Sequence, residues 1–114
     1  MPRNFIDAVQ GTLELLLLQT LVGGEMHGYA IARWIAERSG EELRVEEGTL
    51  YPALHRLEER GWVTARWGTS ELGRRAKFYR LTVPGRRELR ERAESWQRAT
   101  RAVQAVMRSN PEVR

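Results

Sequence analysis

The chain has 114 residues, of which 41% are hydrophobic and 30% are charged, a balance typical of a single folded domain that excludes an intrinsically disordered protein. The absence of cysteine excludes disulfides and thiolate metal sites, and no apolar run approaches the roughly 20 residues of a membrane span. The net charge of +4 is unevenly distributed, because residues 1–60 hold six basic and ten acidic side chains whereas residues 61–114 hold thirteen and five. Such a one-sided basic field indicates a polyanionic partner, nucleic acid first and an anionic membrane surface second.

Two helices are predicted in the first third of the chain, after a short amphipathic turn at residues 4–10. Thr12 is the expected N-cap of the first helix, which ends at Gly23 and whose wide apolar stripe requires cover on more than one side. The second helix runs from about His27, which caps or supports it, to Arg38. The side chains expected on its buried face are Tyr29, Ile31, Ala32, Trp34 and Ile35.

The third predicted helix opens at Gly48 and ends at Gly61. With Thr49 as its N-cap, Pro52 lies in the first turn, where a missing N–H costs nothing. Helical spacing directs four residues to the core, namely Leu50, Ala53, Leu54 and Leu57. The outward face then carries Thr49, Pro52, His55, Arg56 and Glu59, with Tyr51 on the flank. This face suits the reading of a DNA major groove, and an ordinary solvated helix face is the alternative.

A β-hairpin follows, with strands at residues 62–67 and 77–82 that are rich in β-branched and aromatic side chains. The hairpin has a basic tip formed by Arg74, Arg75 and Lys77, with Ser70 as a neutral donor. A basic hairpin can enter the minor groove of DNA or straddle its phosphates. Three helices followed by such a two-stranded wing predict a winged helix-turn-helix, mainly α with a small β-hairpin.

A long last helix is predicted from its N-cap Thr82 to the breaker Asn110-Pro111, with Pro84 in the first turn. Its length of about 25 residues overshoots a winged-helix core, and an apolar seam recurs along it at alternating spacings of about four and three residues. The members of the seam are Leu89, Ala93, Trp96, Thr100, Val103 and Met107. We therefore predict a DNA-binding domain with its N-terminal helix at residues 1–83 and a dimerisation helix at residues 84–114. The alternative is that the seam packs only on the first helix of its own chain.

Neither catalysis nor metal binding is expected. The two histidines, His27 and His55, each lack a carboxylate or a second histidine at ligand spacing. The sequence contains no nucleophile elbow and no glycine-rich phosphate loop. We therefore predict that the chain is not an enzyme and has no cofactor, and the isolated histidines argue against a metal-sensing regulator.

Five segments resemble the PadR family of transcriptional regulators. They are Gly11-Thr12-Leu13-Glu14-Leu15-Leu16, His27-Gly28-Tyr29-Ala30-Ile31, Gly48-Thr49-Leu50-Tyr51-Pro52 with the helix that follows it, Gly61-Trp62-Val63, and the wing segment at residues 74–82. The resemblance spans residues 11 to about 96 and departs from the family pattern at Ala76 and at Glu46-Glu47. It implies a homodimeric regulator, usually a repressor, whose third helix and wing bind a palindrome-like operator in double-stranded DNA. It also implies that the C-terminal helix dimerises and that a small aromatic or hydrophobic molecule can act as effector.

The residues expected to contact DNA are Thr49, Tyr51, Pro52, His55, Arg56, Ser70, Arg74, Arg75 and Lys77. Arg56 is expected to face the same way as the cations of the hairpin. Trp96, flanked by small side chains, is expected to line an effector pocket for a planar aromatic compound at the dimer interface, and packing in the core is the alternative. The start of the sequence has no signal-peptide pattern, so we expect a cytoplasmic location and no membrane partner. The alternative function is a winged-helix protein–protein interaction module with an acidic protein partner.

Overall fold

Four α-helices and a three-stranded antiparallel sheet make up residues 11–112, the part of the chain that the computed structural model describes. The helices are α1 (Thr12–Thr20), which continues into a 3-10 turn at Leu21–Gly23, α2 (Gly28–Arg38), α3 (Glu47–Glu59) and α4 (Val83–Arg108). The strands are β1 (Met26–His27), β2 (Val63–Thr69) and β3 (Arg75–Leu81). The amphipathic turn predicted at residues 4–10 lies outside the described residues.

Side-chain caps hold the first turns of α2 and α4. His27 Nδ1 accepts a hydrogen bond from the Ala30 N–H at 3.2 Å, which confirms its predicted role at the start of α2. Thr82 Oγ1 accepts one from the Gly85 N–H at 3.0 Å, which confirms Thr82 as the N-cap of α4. Each cap satisfies a backbone donor that has no partner within its helix.

The predicted starts of α1 and α3 are wrong. Gly11, with φ at 88°, is the N-cap of α1, and Thr12 is already helical and buried. α3 begins at Glu47, two residues before the predicted cap Thr49, and the carboxylate in its first turn suits the positive end of the helix dipole. Pro52 therefore lies inside the helix and not in its first turn, so it removes one hydrogen bond from the helical ladder.

The sheet contains a strand that the sequence does not indicate. β1 has only two residues and pairs antiparallel with β3, with Met26 opposite Tyr79, so the strand order is β1-β3-β2. A strand this short carries no alternating pattern and cannot be recognised from hydrophobicity. The predicted hairpin of β2 and β3 is confirmed, and both strands extend two residues farther toward its tip than predicted.

The core lies between the first three helices and the base of the sheet. Its fully buried large side chains are Leu17, Leu18, Leu21, Ile31, Leu50, Leu54, Leu57 and Val63. α1 contacts α2, α3 and α4, which confirms that its wide apolar stripe is covered on more than one side. The predicted inward face of α3 is also confirmed, since Leu50, Ala53, Leu54 and Leu57 are all buried.

Only the first turns of the 26-residue helix α4 belong to this core. Gly85 and Leu89 are buried, and Gly85 packs so closely on Trp62, the residue before β2, that a Cβ atom there would collide with its carbonyl oxygen. Farther along, Val103 and Met107 are 60% and 78% exposed in this chain. No helix within residues 11–112 combines the length and the apolar character required to cross a membrane.

Candidate nucleic-acid interface

A groove of about 640 Å³ lies between the hairpin and the N-terminal halves of α2 and α3. Because side chains alternate along a strand, Trp67 and the opposite Lys77 share the hairpin face on which Val63 and Leu81 enter the core. This face continues past the core as one wall of the groove. Five residues predicted to contact DNA line it: Tyr51, Ser70, Arg74, Arg75 and Lys77.

The three cations of the hairpin have different surroundings. Lys77 Nζ lies 3.1 Å from Glu58 Oε1 on α3, and this hydrogen bond raises the pKa of the lysine although burial opposes the rise. The guanidinium carbon of Arg75 lies 4.6 Å from the ring centre of Trp67. No acidic side chain among residues 11–112 forms an ion pair with Arg74 or Arg75. Lys77 thus attaches the wing to α3, whereas Arg74 and Arg75 keep their charge available to an anion.

The other predicted contact residues lie on the outer face of α3 and do not line the groove. They are Thr49, Pro52, His55 and Arg56, and all four are exposed. His55 Nε2 lies 3.6 Å from Glu59 Oε1, one helical turn away, so the expectation that His55 has no companion carboxylate is wrong. Arg56 Nε lies 3.4 Å from Glu14 Oε2 on α1, so its side chain is directed to that carboxylate. This pairing corrects the expectation that Arg56 faces the same way as the hairpin cations.

Four exposed residues of the groove were not among the predicted contacts: Tyr29, Glu47, Trp67 and Leu72. Tyr29 is 62% exposed, which corrects its predicted place on the buried face of α2. That face is formed by Ile31, Ile35 and Ala36, and Tyr29 stands about 200° from Ile31 around the helix. This angle can be calculated from the sequence alone, and it predicts that Tyr29 lies on the exposed face of α2.

A second, apolar cleft of about 280 Å³ lies between α1 and α4, and we call it the α1–α4 cleft. Leu15 and Leu16 line it from α1, and Ala93 and Trp96 line it from α4. Trp96 is 44% exposed, so its indole borders the cleft and is not enclosed in the core. Leu89, the first residue of the predicted seam, is instead buried in the core of its own chain and is not available to a second one.

The residues that could hold a metal are dispersed. No group of three or more His, Asp or Glu side chains within the described range is arranged to bind a metal ion. The Nδ1 atom of His27 is engaged as a helix cap, and its ring stands edge-on to Phe78 with 5.4 Å between ring centres. His27 therefore has a structural role in the turn that precedes α2.

Three packed helices with a basic two-stranded wing define a winged helix-turn-helix, in which an exposed helix and a hairpin meet at one groove. A sequence model of the transcriptional regulator PadR-like family matches residues 17–91. The chain belongs to this family and is a DNA-binding transcriptional regulator. The family and its structural neighbours are regulators and not enzymes, in agreement with the prediction from sequence.

Individual relatives agree with this assignment. The chain is 34% identical over 95 residues to a transcriptional regulator of Mycobacterium tuberculosis, covering 82% of this chain and 84% of that protein. A PadR family transcriptional regulator from Eggerthella lenta has a similar structure, with a TM-score of 0.77, 30% identity, and coverage of 93% of this chain and 90% of that one. The structure of Bacillus subtilis PadR in complex with operator DNA gives a TM-score of 0.64 at 29% identity, covering 72% of this chain and 45% of that longer one.

Proposed function

We propose that the chain is a homodimeric repressor that binds an operator with α3 and the wing. The observation that carries this proposal is the groove itself, because it brings Arg74 and Arg75 to the same opening as the exposed Tyr51 of α3. Unpaired guanidinium groups suit phosphate oxygens, and an exposed helix beside them suits base edges in the major groove. The relative from Bacillus subtilis is named a negative transcriptional regulator, which supports repression and not activation.

The proposed DNA contacts fall into two groups, those to the DNA backbone and those to the bases, according to where each side chain lies. Arg74, Arg75 and Ser70 at the hairpin tip would bind the DNA backbone. Thr49, Tyr51, Pro52 and His55 of α3 would face the bases, because they are exposed on the helix surface. Lys77 already pairs with Glu58, and Arg56 already pairs with Glu14. We therefore assign Lys77 to holding the wing in position and Arg56 to holding α3 in position, with DNA contact as a second role of both.

The proposed dimer interface is the part of α4 beyond the core. Ala93, Trp96, Thr100, Val103 and Met107 recur on one face of the helix, and the last two are largely exposed in the single chain. A second copy that packs on the same face buries these side chains by two-fold symmetry. An operator made of two half-sites about one DNA turn apart, or a multiple of it, would match such a dimer.

The α1–α4 cleft is the proposed effector site. It is lined mainly by apolar side chains, including Trp96, whose ring can stack on a planar aromatic compound. Its volume of about 280 Å³ suits a small ligand. A ligand that favours one separation of the two reading helices would release the operator. Because the protein acts on DNA, this function agrees with the cytoplasmic location expected from the sequence.

The test is selection of genomic DNA by the tagged full-length protein, followed by sequencing of the retained fragments. We expect enrichment of fragments that share an inverted repeat, and tight binding of one such fragment in a fluorescence anisotropy titration. Retention without any shared sequence would contradict an operator-binding function. Absence of retention would instead support the alternative, in which the basic wing binds an acidic protein partner.

A further inference from the structure

The carboxylate of Glu14 on α1 is held by three arginines from two other parts of the chain. Its oxygens lie 3.4 Å from Arg56 Nε, 3.0 Å from Arg60 Nη1 and 2.9 Å from Arg92 Nη1. Only 15% of the Glu14 side chain is exposed. Burial raises the pKa of this carboxyl, but the charge of Arg60 and the hydrogen bonds from Arg92 and Arg56 outweigh burial and hold the pKa below its ordinary value. Glu14 is therefore a charged carboxylate near neutral pH.

The indole of Trp62 joins two of these arginines. The guanidinium carbons of Arg60 and Arg92 lie 5.1 Å and 4.9 Å from its ring centre. Its backbone N–H donates to the Leu57 carbonyl at 3.0 Å, and its own carbonyl accepts from the Thr82 N–H at 3.1 Å. The end of α3 and the start of α4 are thus both tied to Trp62. The Glu14 cluster, as we name it, consists of Glu14, Arg56, Arg60, Trp62 and Arg92.

The Glu14 cluster adjoins the α1–α4 cleft on both of its walls. Leu15, which lines the cleft, follows Glu14 in α1, and Ala93, which also lines it, follows Arg92 in α4. A change in the separation of the two helices at the cleft therefore changes the distance between Glu14 and Arg92. Their contact of 2.9 Å is lost as a hydrogen bond once the separation exceeds about 3.5 Å. Because Arg92 Nε is also bonded to Glu88 Oε1 on α4 at 2.8 Å, the guanidinium moves with that helix, and a helix displacement of less than about 1 Å is enough to break its contact with Glu14.

We propose that Glu14 is a positioning residue that couples the α1–α4 cleft to the DNA-reading helix α3. The inference rests on the proposed function, in which α3 binds an operator. When Arg92 holds Glu14, the same carboxylate holds Arg56 and Arg60 and fixes the last turns of α3 against α1. When α4 moves away from α1, Arg92 leaves the carboxylate, and the chain of contacts that runs from α3 through Glu14 to α4 is interrupted. Coupling between two sites requires an element whose state both can change, and Glu14 contacts the two helices concerned.

A double-mutant cycle tests this coupling without any ligand. Ala93→Leu adds volume at the cleft, and Glu14→Gln keeps the shape of the side chain but removes its charge. The affinity of the four proteins for a retained genomic fragment is measured by fluorescence anisotropy. We expect Ala93→Leu to change the affinity about fivefold or more when Glu14 is present and less than about twofold in the Glu14→Gln background.

The matched control is Glu25→Gln, since Glu25 is also paired with an arginine, Arg66, but lies outside the cleft. Ala93→Leu must keep its full effect in that background. Arg92→Gln breaks the same contact from the side of α4 and must abolish the coupling as Glu14→Gln does, which covers the case in which one variant does not fold. Equal effects of Ala93→Leu in every background, or no effect in any, would overturn the proposal. Failure of the unmodified protein to retain DNA would instead reject the proposed function and is observed before any variant is made.

Discussion

The ring of Tyr51 occupies the space that a side chain on Gly28 would fill. A Cβ atom on Gly28 would lie 2.6 Å from Cε1 and 2.9 Å from the hydroxyl oxygen of Tyr51. Gly28 is the first residue of α2 and Tyr51 belongs to α3, so the absence of a side chain lets both helices line one groove. The position of a proposed DNA contact on α3 thus depends on a glycine in another helix.

Gly28→Ala is therefore expected to displace Tyr51 and to weaken DNA binding. If the tyrosine contacts a base, the loss is about 1–3 kcal/mol. The matched control is Gly48→Ala in α3, where a Cβ atom meets nothing within 4 Å and helix propensity favours alanine. Anisotropy titrations give the affinities, and circular dichroism shows whether each variant is folded. If the two folded variants bound DNA with equal affinity, the position of Tyr51 would not matter for DNA binding.

The hairpin tip provides the second prediction. Arg74→Ala combined with Arg75→Ala is expected to weaken binding to every sequence and to reduce the slope of log K against log salt by about one unit per lost phosphate contact. Arg98→Ala with Arg101→Ala removes the same charge from an exposed stretch of α4 and is the control. Titrations at several salt concentrations measure both slopes. An unchanged slope in the hairpin variant would show that the wing does not bind phosphate.

The fold was largely predictable because its helices and hairpin have strong local patterns. The apolar spacing of Leu50, Leu54 and Leu57 correctly gives the buried face of α3, and Thr82 correctly marks the start of α4. Thr49 was misleading, because a threonine before an apolar run resembles an N-cap whether or not the helix has already begun. The start of a helix depends on backbone angles that composition does not determine.

The candidate site was predictable only in part, because its side chains respond to residues distant in sequence. The basic character of Arg56 and Lys77 is visible in the sequence, but their pairing with Glu14 and Glu58 depends on packing between elements. The groove position of Trp67 follows from strand alternation once the hairpin register is known. Ion pairs between separate elements carry no periodic signal.

The third prediction concerns stability. Gly85→Ala is expected to lower the free energy of unfolding by about 1–3 kcal/mol, because a Cβ atom there would collide with the Trp62 carbonyl and force the start of α4 away from Trp62. Gly23→Ala is the control, since that site has open space within 4 Å and no positive φ. Urea denaturation followed by circular dichroism measures both. Equal urea midpoints for the two variants would indicate that the contact between α4 and Trp62 is easily relaxed.

The fourth prediction concerns the proposed dimer. Val103→Asp is expected to place a charge in the interface and produce a folded monomer, because an unpaired buried carboxylate is costly. Val83→Asp is the control, since Val83 is also an exposed valine of α4 but lies in the first turn, where an acidic residue is tolerated. Light scattering gives the mass of each protein in solution. A Val103→Asp protein that retained twice the monomer mass would move the interface elsewhere on the chain.

The last prediction concerns Trp96, whose half-exposed indole lines the α1–α4 cleft together with Ala93. A planar aromatic dye is expected to bind by stacking on this ring and to change the DNA affinity of the unmodified protein. Trp96→Leu keeps an apolar side chain but removes the flat surface, so both effects should decrease. Both proteins contain Trp34, Trp62 and Trp67, which supply the same background fluorescence. The difference between the fluorescence of the unmodified protein and that of Trp96→Leu therefore reports on Trp96. Identical dye titrations and identical responses of DNA affinity in the two proteins would leave Trp96 as a packing residue and place any effector elsewhere.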